Sequence, residues 1–340
     1  MERFCFLLIA CILGKVGMSQ SFNNPTLQLL HQKEDTLKRY ADKLINANTA
    51  AIRFQSDSAF TKLLVQALKT PNSFYYKFDS LLTISKLYAP DSSFRIFTWQ
   101  MVVNENLTRQ HGTIQMKTTD GSLKLFPLID KSDVTTALAD TTADNKGWIG
   151  AVYYKIVATS NMNQTYYTLL GFDENNIRSN RKIIEVLSFK NGLPVFGGNY
   201  ISFAEDADKK PTASRHILEY QKDAGARLVY DQDLKMIIAE HLYSPSNEPQ
   251  KKWTLIPDGD YEGFKWQQGK WVHIDKVFTQ VTAEGSEPMP SPVKDAMGNT
   301  DENKLKDNSP NNKIDEAETE FVPVPKKNIP LKKTKPKKKG

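Results

Sequence analysis

The sequence predicts an α+β fold: a mostly antiparallel β meander that forms a curled sheet, a barrel or a sandwich, with two N-terminal helices and a disordered C-terminal tail. Three observations lead to this prediction: apolar residues at helical spacing near the N-terminus, period-two alternation from Phe74 onward, and a loss of apolar residues after Ala283. The expected boundaries are a signal peptide at 1–19, a helical segment at 20–70, a β-rich domain at 71–282 and a tail at 283–340.

The first twenty residues have the composition of an export signal. Arg3 supplies a positive charge, and Phe4–Gly14 is an apolar run of eleven residues. Such a run suits a signal peptide and is too short to span a bilayer. Gly17 and Ser19 are small residues that suit cleavage before Gln20. We therefore expect an exported protein in the periplasm, at the cell surface or in the medium.

Both cysteines of the chain lie inside this segment, at Cys5 and Cys11. Leu8–Cys11 has the form of a lipobox, so lipidation of Cys11 is a second, less favoured processing route. Cleavage before Gln20 would leave a mature protein without any thiol. That excludes disulfides, thiolate metal sites and a cysteine nucleophile, and it suits an oxidising compartment.

Two amphipathic helices are expected to open the mature chain and cover the core of the body. Asn24 is the predicted N-cap of the first, with Pro25 at its first position. Asp57 or Ser58 is the predicted cap of the second, which Pro71 ends. The two apolar faces are Leu27, Leu30, Leu37, Ala41 and Leu44, then Phe60, Leu63, Leu64, Ala67 and Leu68.

Strands rich in β-branched and aromatic residues are expected after Phe74, separated by turn pairs such as Asn191-Gly192 and Gln268-Gly269. The close spacing of these strands indicates hairpins and therefore antiparallel pairing. The predicted strands are 93–99, 112–117, 122–126, 149–157, 166–172, 183–189, 215–220, 226–230, 236–241 and 261–266.

The positive charge of the chain is a property of its tail. The formal net charge is +6 and residues 326–340 contribute +8, so the rest of the chain carries −2. Residues 284–325 contain ten acids and four lysines, and such a segment cannot bury enough surface to fold alone. The tail lysines are expected to bind an envelope polyanion or nucleic acid in a salt-sensitive way, or to remain solvated. They are Lys326, Lys327, Lys332, Lys333, Lys335, Lys337, Lys338 and Lys339.

Several strings between about residues 75 and 278 resemble an uncharacterised family of exported proteins from Gram-negative bacteria. The resemblance implies a single β-rich unit over this range, and it implies no activity, cofactor or catalytic residue. The strings that carry it are Ser93–Trp99, Tyr153–Lys155, Tyr166–Asp173, Leu228–Asp231, Glu240–Leu242, Pro257–Phe264 and Gly269–Trp271.

A weak calcium-loop pattern occurs at Asp258, Asp260 and Glu262, followed by Gly263. Alternate carboxylates with glycine at the sixth position open an oxygen-rich Ca²⁺ loop. The twelfth position is Gly269, where a bidentate glutamate is needed. We therefore favour the alternative that this segment is a loop entering a hairpin, and we expect no metal or cofactor.

The remaining chemistry-bearing residues form no recognisable motif. The histidines, His31, His111, His216, His241 and His273, have no metal-ligand spacing, and His241 and Glu240 should face opposite sides of a strand. The chain has no G-x-S-x-G, Walker or G-x-G-x-x-G pattern. Acid pairs that a glycosidase could use are Asp173 with Glu174 and Glu205 with Asp206.

The sequence supports three functional hypotheses. The favoured one is a non-catalytic exported or envelope-associated binding module, because strand aromatics could form an outward face for a glycan or a protein partner. Its aromatic set is Trp99, Trp148, Trp253, Trp266, Trp271, Tyr153, Tyr154, Tyr166 and Tyr167. The second is a hydrolase that uses loop carboxylates or an unrecognised metal site, which a deep pocket with convergent acids or histidines would favour. The third is polyanion binding through the lysine tail alone.

Overall fold

A computed structural model describes residues 23–278 of the chain, apart from residues 105 and 209. It contains two helices followed by fifteen strands, so the predicted α+β class is confirmed. The elements are α1 (Asn24–Asn46), α2 (Ala50–Leu68), β1 (Ser85–Tyr88), β2 (Phe94–Asn104), β3 (Leu107–Met116), β4 (Lys124–Ile129), β5 (Ala143–Asp144), β6 (Val152–Asn161), β7 (Gln164–Asp173), β8 (Ser179–Lys190), β9 (Leu193–Phe196), β10 (Ile201–Ser202), β11 (Arg215–Gln221), β12 (Leu228–Asp231), β13 (Met236–Tyr243), β14 (Ile256–Gln267) and β15 (Lys270–Ile274).

Both helices begin earlier than predicted. The N-cap of α1 is Asn23, whose side chain accepts from the Thr26 amide, and so the prediction of Asn24 is wrong by one residue. The N-cap of α2 is Thr49, so the prediction of Asp57 or Ser58 is wrong by two turns. The first turns of α2 contain the apolar residues Ile52 and Phe54, which are exposed. These residues do not continue the apolar face that starts at Phe60, so the sequence did not indicate where the helix begins.

The strands form three open sheets. The first is the meander β1-β2-β3-β4, the second has the order β10-β15-β14-β13-β12, and the third has the order β5-β9-β8-β7-β6 with β11 also paired to β8. All strand pairs are antiparallel except β10 with β15. The described strands close no barrel, so the curled sheet and the sandwich are the predicted alternatives that fit.

Side chains alternate between the two faces of each strand, so a sheet can pack on both sides. The elements form four layers in the order helices, first sheet, third sheet and second sheet. Phe97 and Trp99 of the first sheet pack against α1 and α2, while Phe94 and Ile96 of the same strand pack against the third sheet. The opposite face of the third sheet packs against the second sheet, and Leu170 and Ile184 of the third sheet are buried in that core. The third sheet is therefore covered on both faces, and its long apolar runs follow from that position.

A buried ionic network crosses the third sheet. Arg215 of β11 donates to Oε1 of Glu185 on β8, and both side chains are fully buried. Glu185 also accepts from the hydroxyl of Tyr153 at 2.6 Å. Arg215 donates as well to the carbonyl of Leu138, in the loop between β4 and β5. The network thereby fixes a long loop to the sheet.

Within residues 23–278, no helix combines the length and the hydropathy needed to cross a bilayer.

Candidate functional site

The candidate site is a cavity of about 650 Å³ between the third and second sheets. β11 of the third sheet, strands β13 to β15 of the second sheet and the loops around residues 138, 206 and 252 contribute to its walls. The walls combine apolar side chains with three histidines and four acids. The lining residues used below are Leu138, Arg181, Phe203, Asp206, Lys210, His216, Leu218, Glu219, His241, Lys252, Leu255, Glu262, His273 and Asp275.

The floor of the cavity carries a chain of three titratable side chains, Asp206, His273 and Glu262. Nδ1 of His273 lies 2.9 Å from both oxygens of Asp206. Nε2 of the same ring lies 2.9 Å from Oε2 of Glu262. Because ionised carboxylates only accept hydrogen bonds, this pairing satisfies both ring nitrogens when each carries a proton. The arrangement therefore stabilises a charged imidazolium between two carboxylates.

The pKa shifts of this chain agree with its geometry. Burial alone would lower the pKa of His273, but the hydrogen bonds to Glu262 and Asp206 outweigh it, so the pKa is raised. Burial alone would raise the pKa of Glu262, but the hydrogen bond from His273 and the nearby histidines outweigh it, so the pKa is lowered. Both pKa shifts favour the charged forms, the imidazolium of His273 and the carboxylate of Glu262.

Strand register explains why Glu262 and His273 meet. The two-residue turn Gln268-Gly269 pairs Phe264 of β14 directly with His273 of β15. Glu262 lies two residues before Phe264, on the same face and diagonal to His273. Asp206 comes from the loop between β10 and β11 and closes the other side of the ring.

His216 is the second histidine of the floor, and its pKa is shifted in the direction opposite to that of His273. It lies on β11, and its ring is 4.8 Å from Phe264 and 6.2 Å from Phe203, measured between centroids. Part of the side chain is accessible, but Nε2 is sealed from water and has no partner among the described residues. Burial lowers the pKa of His216 to about 4. The ring is therefore neutral near pH 7.

His241 lies at the rim of the cavity, where a β-bulge interrupts the pairing of β13 with β14. Its Nδ1 is 2.6 Å from Oδ2 of Asp258. Glu240 instead accepts from the amide of Arg227. The two neighbours therefore form no dyad, as their alternation on a strand predicts.

The three calcium-loop candidates lie on a strand, not in the loop that we favoured. Asp258, Asp260 and Glu262 lie on β14, and each pairs with a different side chain: His241, Lys276 at 2.9 Å, and His273, respectively. In the part of the chain that the structure describes, no group of three or more His, Cys, Asp or Glu side chains could hold a metal ion. The carboxylates of Asp258, Asp260 and Glu262 instead form three separate side-chain pairs.

The other predicted acids are dispersed. Asp206 lines the cavity, whereas Glu205, its neighbour in sequence, does not. Asp173 is buried, accepts from Gln110 at 2.9 Å and lies 3.7 Å from Arg181, which also donates to Glu219 at the cavity wall. Burial raises the pKa of Asp173.

Most of the predicted aromatic face is core. Tyr153 and Tyr167 are buried, while their neighbours Tyr154 and Tyr166 are more exposed, as alternation predicts. Trp99, Trp148 and Trp271 are buried in the three cores. A small group of half-buried rings remains at the surface, formed by Tyr166, Tyr200 and Trp266. Trp253 stacks against Arg178.

The convergence of three histidines and Asp206 on one cavity was not predicted. No sequence spacing joins them, because β11, β13 and β15 belong to two different sheets. The pairing of Glu262 with His273 did have a signal, the Gln268-Gly269 turn, from which the register can be counted. The cleavage site, Cys11 and the eight tail lysines lie outside the described residues.

Comparison with protein-family models, with curated proteins and with solved structures finds no match for this chain.

Proposed function

We propose that this chain is an exported binding protein whose ligand site is the cavity between β11 and strands β13 to β15. The observation that carries the proposal is the Asp206–His273–Glu262 chain, in which a charged ring and two carboxylates line a cavity large enough for a small molecule. These charged groups lie beside the apolar side chains of the same lining, and a few polar groups on a mostly apolar wall are typical of a small-molecule site.

The hydrogen bonds of His273 favour binding over catalysis. Both of its nitrogens already donate to carboxylates, so the ring holds no free proton site for a substrate. Export and membership of the exported family that the sequence resembles are parts of the same proposal. Export is supported by the composition of residues 1–20, and membership by the strings between about residues 75 and 278.

The proposal is tested by thermal-shift screening of the chain from residue 20 to residue 340 against a library of small metabolites. A ligand of the cavity should raise the melting temperature of wild type and lose that effect in His216→Gln. The matched control is His111→Gln, because His111 also has a buried Nε2 without a partner among the described residues, but lies beside Trp99 and Asp57. Equal responses of the two variants would reject the cavity as the site.

A hydrolase is the second candidate, favoured by the opposite pKa shifts of His216 and His273. A neutral histidine can accept a proton from water, and groups whose pKa values diverge are typical of acid–base pairs. This candidate predicts turnover of a chromogenic ester, phosphodiester or glycoside by wild type, and loss of that turnover in His216→Gln. Absence of turnover from all three substrate classes, at pH values from 5 to 9, would remove it.

Export has its own test. N-terminal sequencing of the protein recovered outside the cytoplasm should begin at Gln20. A start at Cys11 with a lipid mass would establish the alternative processing route.

A further inference from the structure

We infer that the cavity takes a primary alkylammonium ion, in the position near Phe203 that the ammonium group of Lys210 occupies. This inference rests on the proposed binding function and names its ligand class. Lys210 lines the cavity, and its Nζ lies 5.5 Å from the centroid of the Phe203 ring. An ammonium over an aromatic face is a favourable contact.

The charge of the lining supports this position. With His273 protonated, four cations balance four carboxylates, and Lys210 is one of the four. Without Lys210 the lining carries a formal charge of −1. The cations are Arg181, Lys210, Lys252 and His273, and the carboxylates are Asp206, Glu219, Glu262 and Asp275.

The cations of the cavity are mostly committed, so an anionic ligand finds few donors. Both nitrogens of His273 bind carboxylates. Arg181 donates to Glu219 at 2.8 Å and lies near Asp173. Lys252 is an exposed residue of the lining. Among the described residues of the lining, only the exposed side chains of Lys210 and Lys252 are left for an anion, and the four carboxylates of the same lining would repel it.

A cationic ligand, in contrast, finds an acceptor and an apolar wall. Among the described residues, Glu262 has one hydrogen-bond partner, His273 through Oε2, so Oε1 is left for a ligand. Phe203 offers a ring face, and His216 and His273 both pack against that ring. Leu138, Leu218 and Leu255 line the same cavity and can bury an alkyl chain.

Lys210 can be displaced because it is an exposed residue of the loop between β10 and β11. Within the described part of the chain it forms no ion pair, and its ammonium group lies over the ring of Phe203. A ligand ammonium that enters must compete with this side chain. Removing Lys210 should therefore strengthen ligand binding. In the variant, no lysine ammonium occupies the position over Phe203, so a larger fraction of the protein is free to bind the ligand.

The test is an NMR titration of the full-length mature chain with three probes of equal length: hexylammonium, hexanoate and hexanol. Hexylammonium should shift the imidazole signals of His216 and His273, and the other two should not. Lys210→Ala should bind hexylammonium at least about threefold more tightly than wild type. Glu262→Gln should bind it about tenfold more weakly, because one carboxylate charge is lost.

The matched control is Lys252→Ala, which removes an exposed lysine of the same lining without an aromatic contact. Its affinity for hexylammonium should change less than that of Lys210→Ala, and an equal gain would overturn the role of Lys210. Cavity shifts caused by hexanoate or hexanol but not hexylammonium would overturn the ligand class and leave the proposed binding function standing. Shifts with none of the three probes, in wild type and in Lys210→Ala, would overturn the ligand class. The metabolite screen, read through His216→Gln, would then decide the binding function separately.

Discussion

At the scale of single residues, the two floor histidines couple folding to pH in opposite directions. The pKa of His216 is about 4 in the folded chain and about 6.5 in an unfolded one. The unfolded chain therefore binds more protons between these values, and His216 removes stability as the pH falls. The pKa of His273 is raised, so its contribution is complete below about pH 6.5 and is lost as the pH rises through the folded value.

We predict that His216→Gln and His273→Gln shift the pH profile of stability in opposite senses. Between pH 7 and pH 4, the unfolding free energy of wild type should fall by up to about 3 kcal/mol more than that of His216→Gln. The reason is that the folded and unfolded pKa values of His216 differ by about 2.5 units, and one unit is about 1.4 kcal/mol. Relative to His273→Gln, the wild-type advantage should be greater near pH 6 than near pH 9. Urea unfolding at each pH measures both, and parallel profiles for the two variants would contradict the assignment.

A second prediction concerns the buried pair Arg215 and Glu185, whose side chains are both fully buried. Arg215→Met should destabilise the protein by roughly 3–5 kcal/mol, because it leaves the charge of Glu185 buried without its partner. The control is Lys251→Met, which breaks the exposed pair of Lys251 with Glu248 and should cost less than about 1 kcal/mol. Similar urea midpoints for the two variants would contradict this difference.

At the scale of elements, turn chemistry and alternation predicted more than helix caps did. The Gln268-Gly269 turn joins β14 to β15 as expected, with positive φ at both residues, 49° and 83°. The start of α2 at Thr49 escaped prediction because its first turns face solvent. Asp57, read as a cap, is instead buried in mid-helix, where it accepts from Nε1 of Trp99 at 2.8 Å. Asp57 is thus a residue type that often caps helices, but here it forms a tertiary hydrogen bond with Trp99.

We predict that Gly269→Ala destabilises the hairpin by about 1–2 kcal/mol, because a side chain is strained at positive φ. The added Cβ would also lie 2.5 Å from Nδ2 of Asn161. Gly225→Ala is the control, since its Cβ would meet nothing within 4 Å, and it should be neutral or slightly stabilising. Thermal unfolding of both variants compares them, and equal melting temperatures would contradict the strain argument.

At the scale of the whole molecule, the helices belong to the folding unit of the sheets. Trp99 and Phe97 of β2 are buried against α1 and α2. Nε1 of Trp99 finds its acceptor in α2. Removing the helices would therefore expose a complete apolar face and leave buried polar groups without partners.

We predict that a chain beginning at Pro71 does not fold to a stable state, whereas a chain ending at Ala283 unfolds at the same urea concentration as the chain from 20 to 340. The second truncation removes residues 284–340, whose composition predicts no folded core. Circular dichroism during urea unfolding measures both. A cooperative transition of the Pro71 chain at the wild-type midpoint would show that the helices are dispensable.

What the sequence determined by itself is local: the α+β class, the two helices, ten of the fifteen strands that the structure describes, and the register across Gln268-Gly269. These properties depend on neighbours in sequence, whose periodicity is readable without a structure. Only the tertiary structure decided which strand faces meet, that three histidines and Asp206 share one cavity, and that most strand aromatics are core. Contacts between separate sheets have no sequence period, so the packing of the layers alone brings those side chains together.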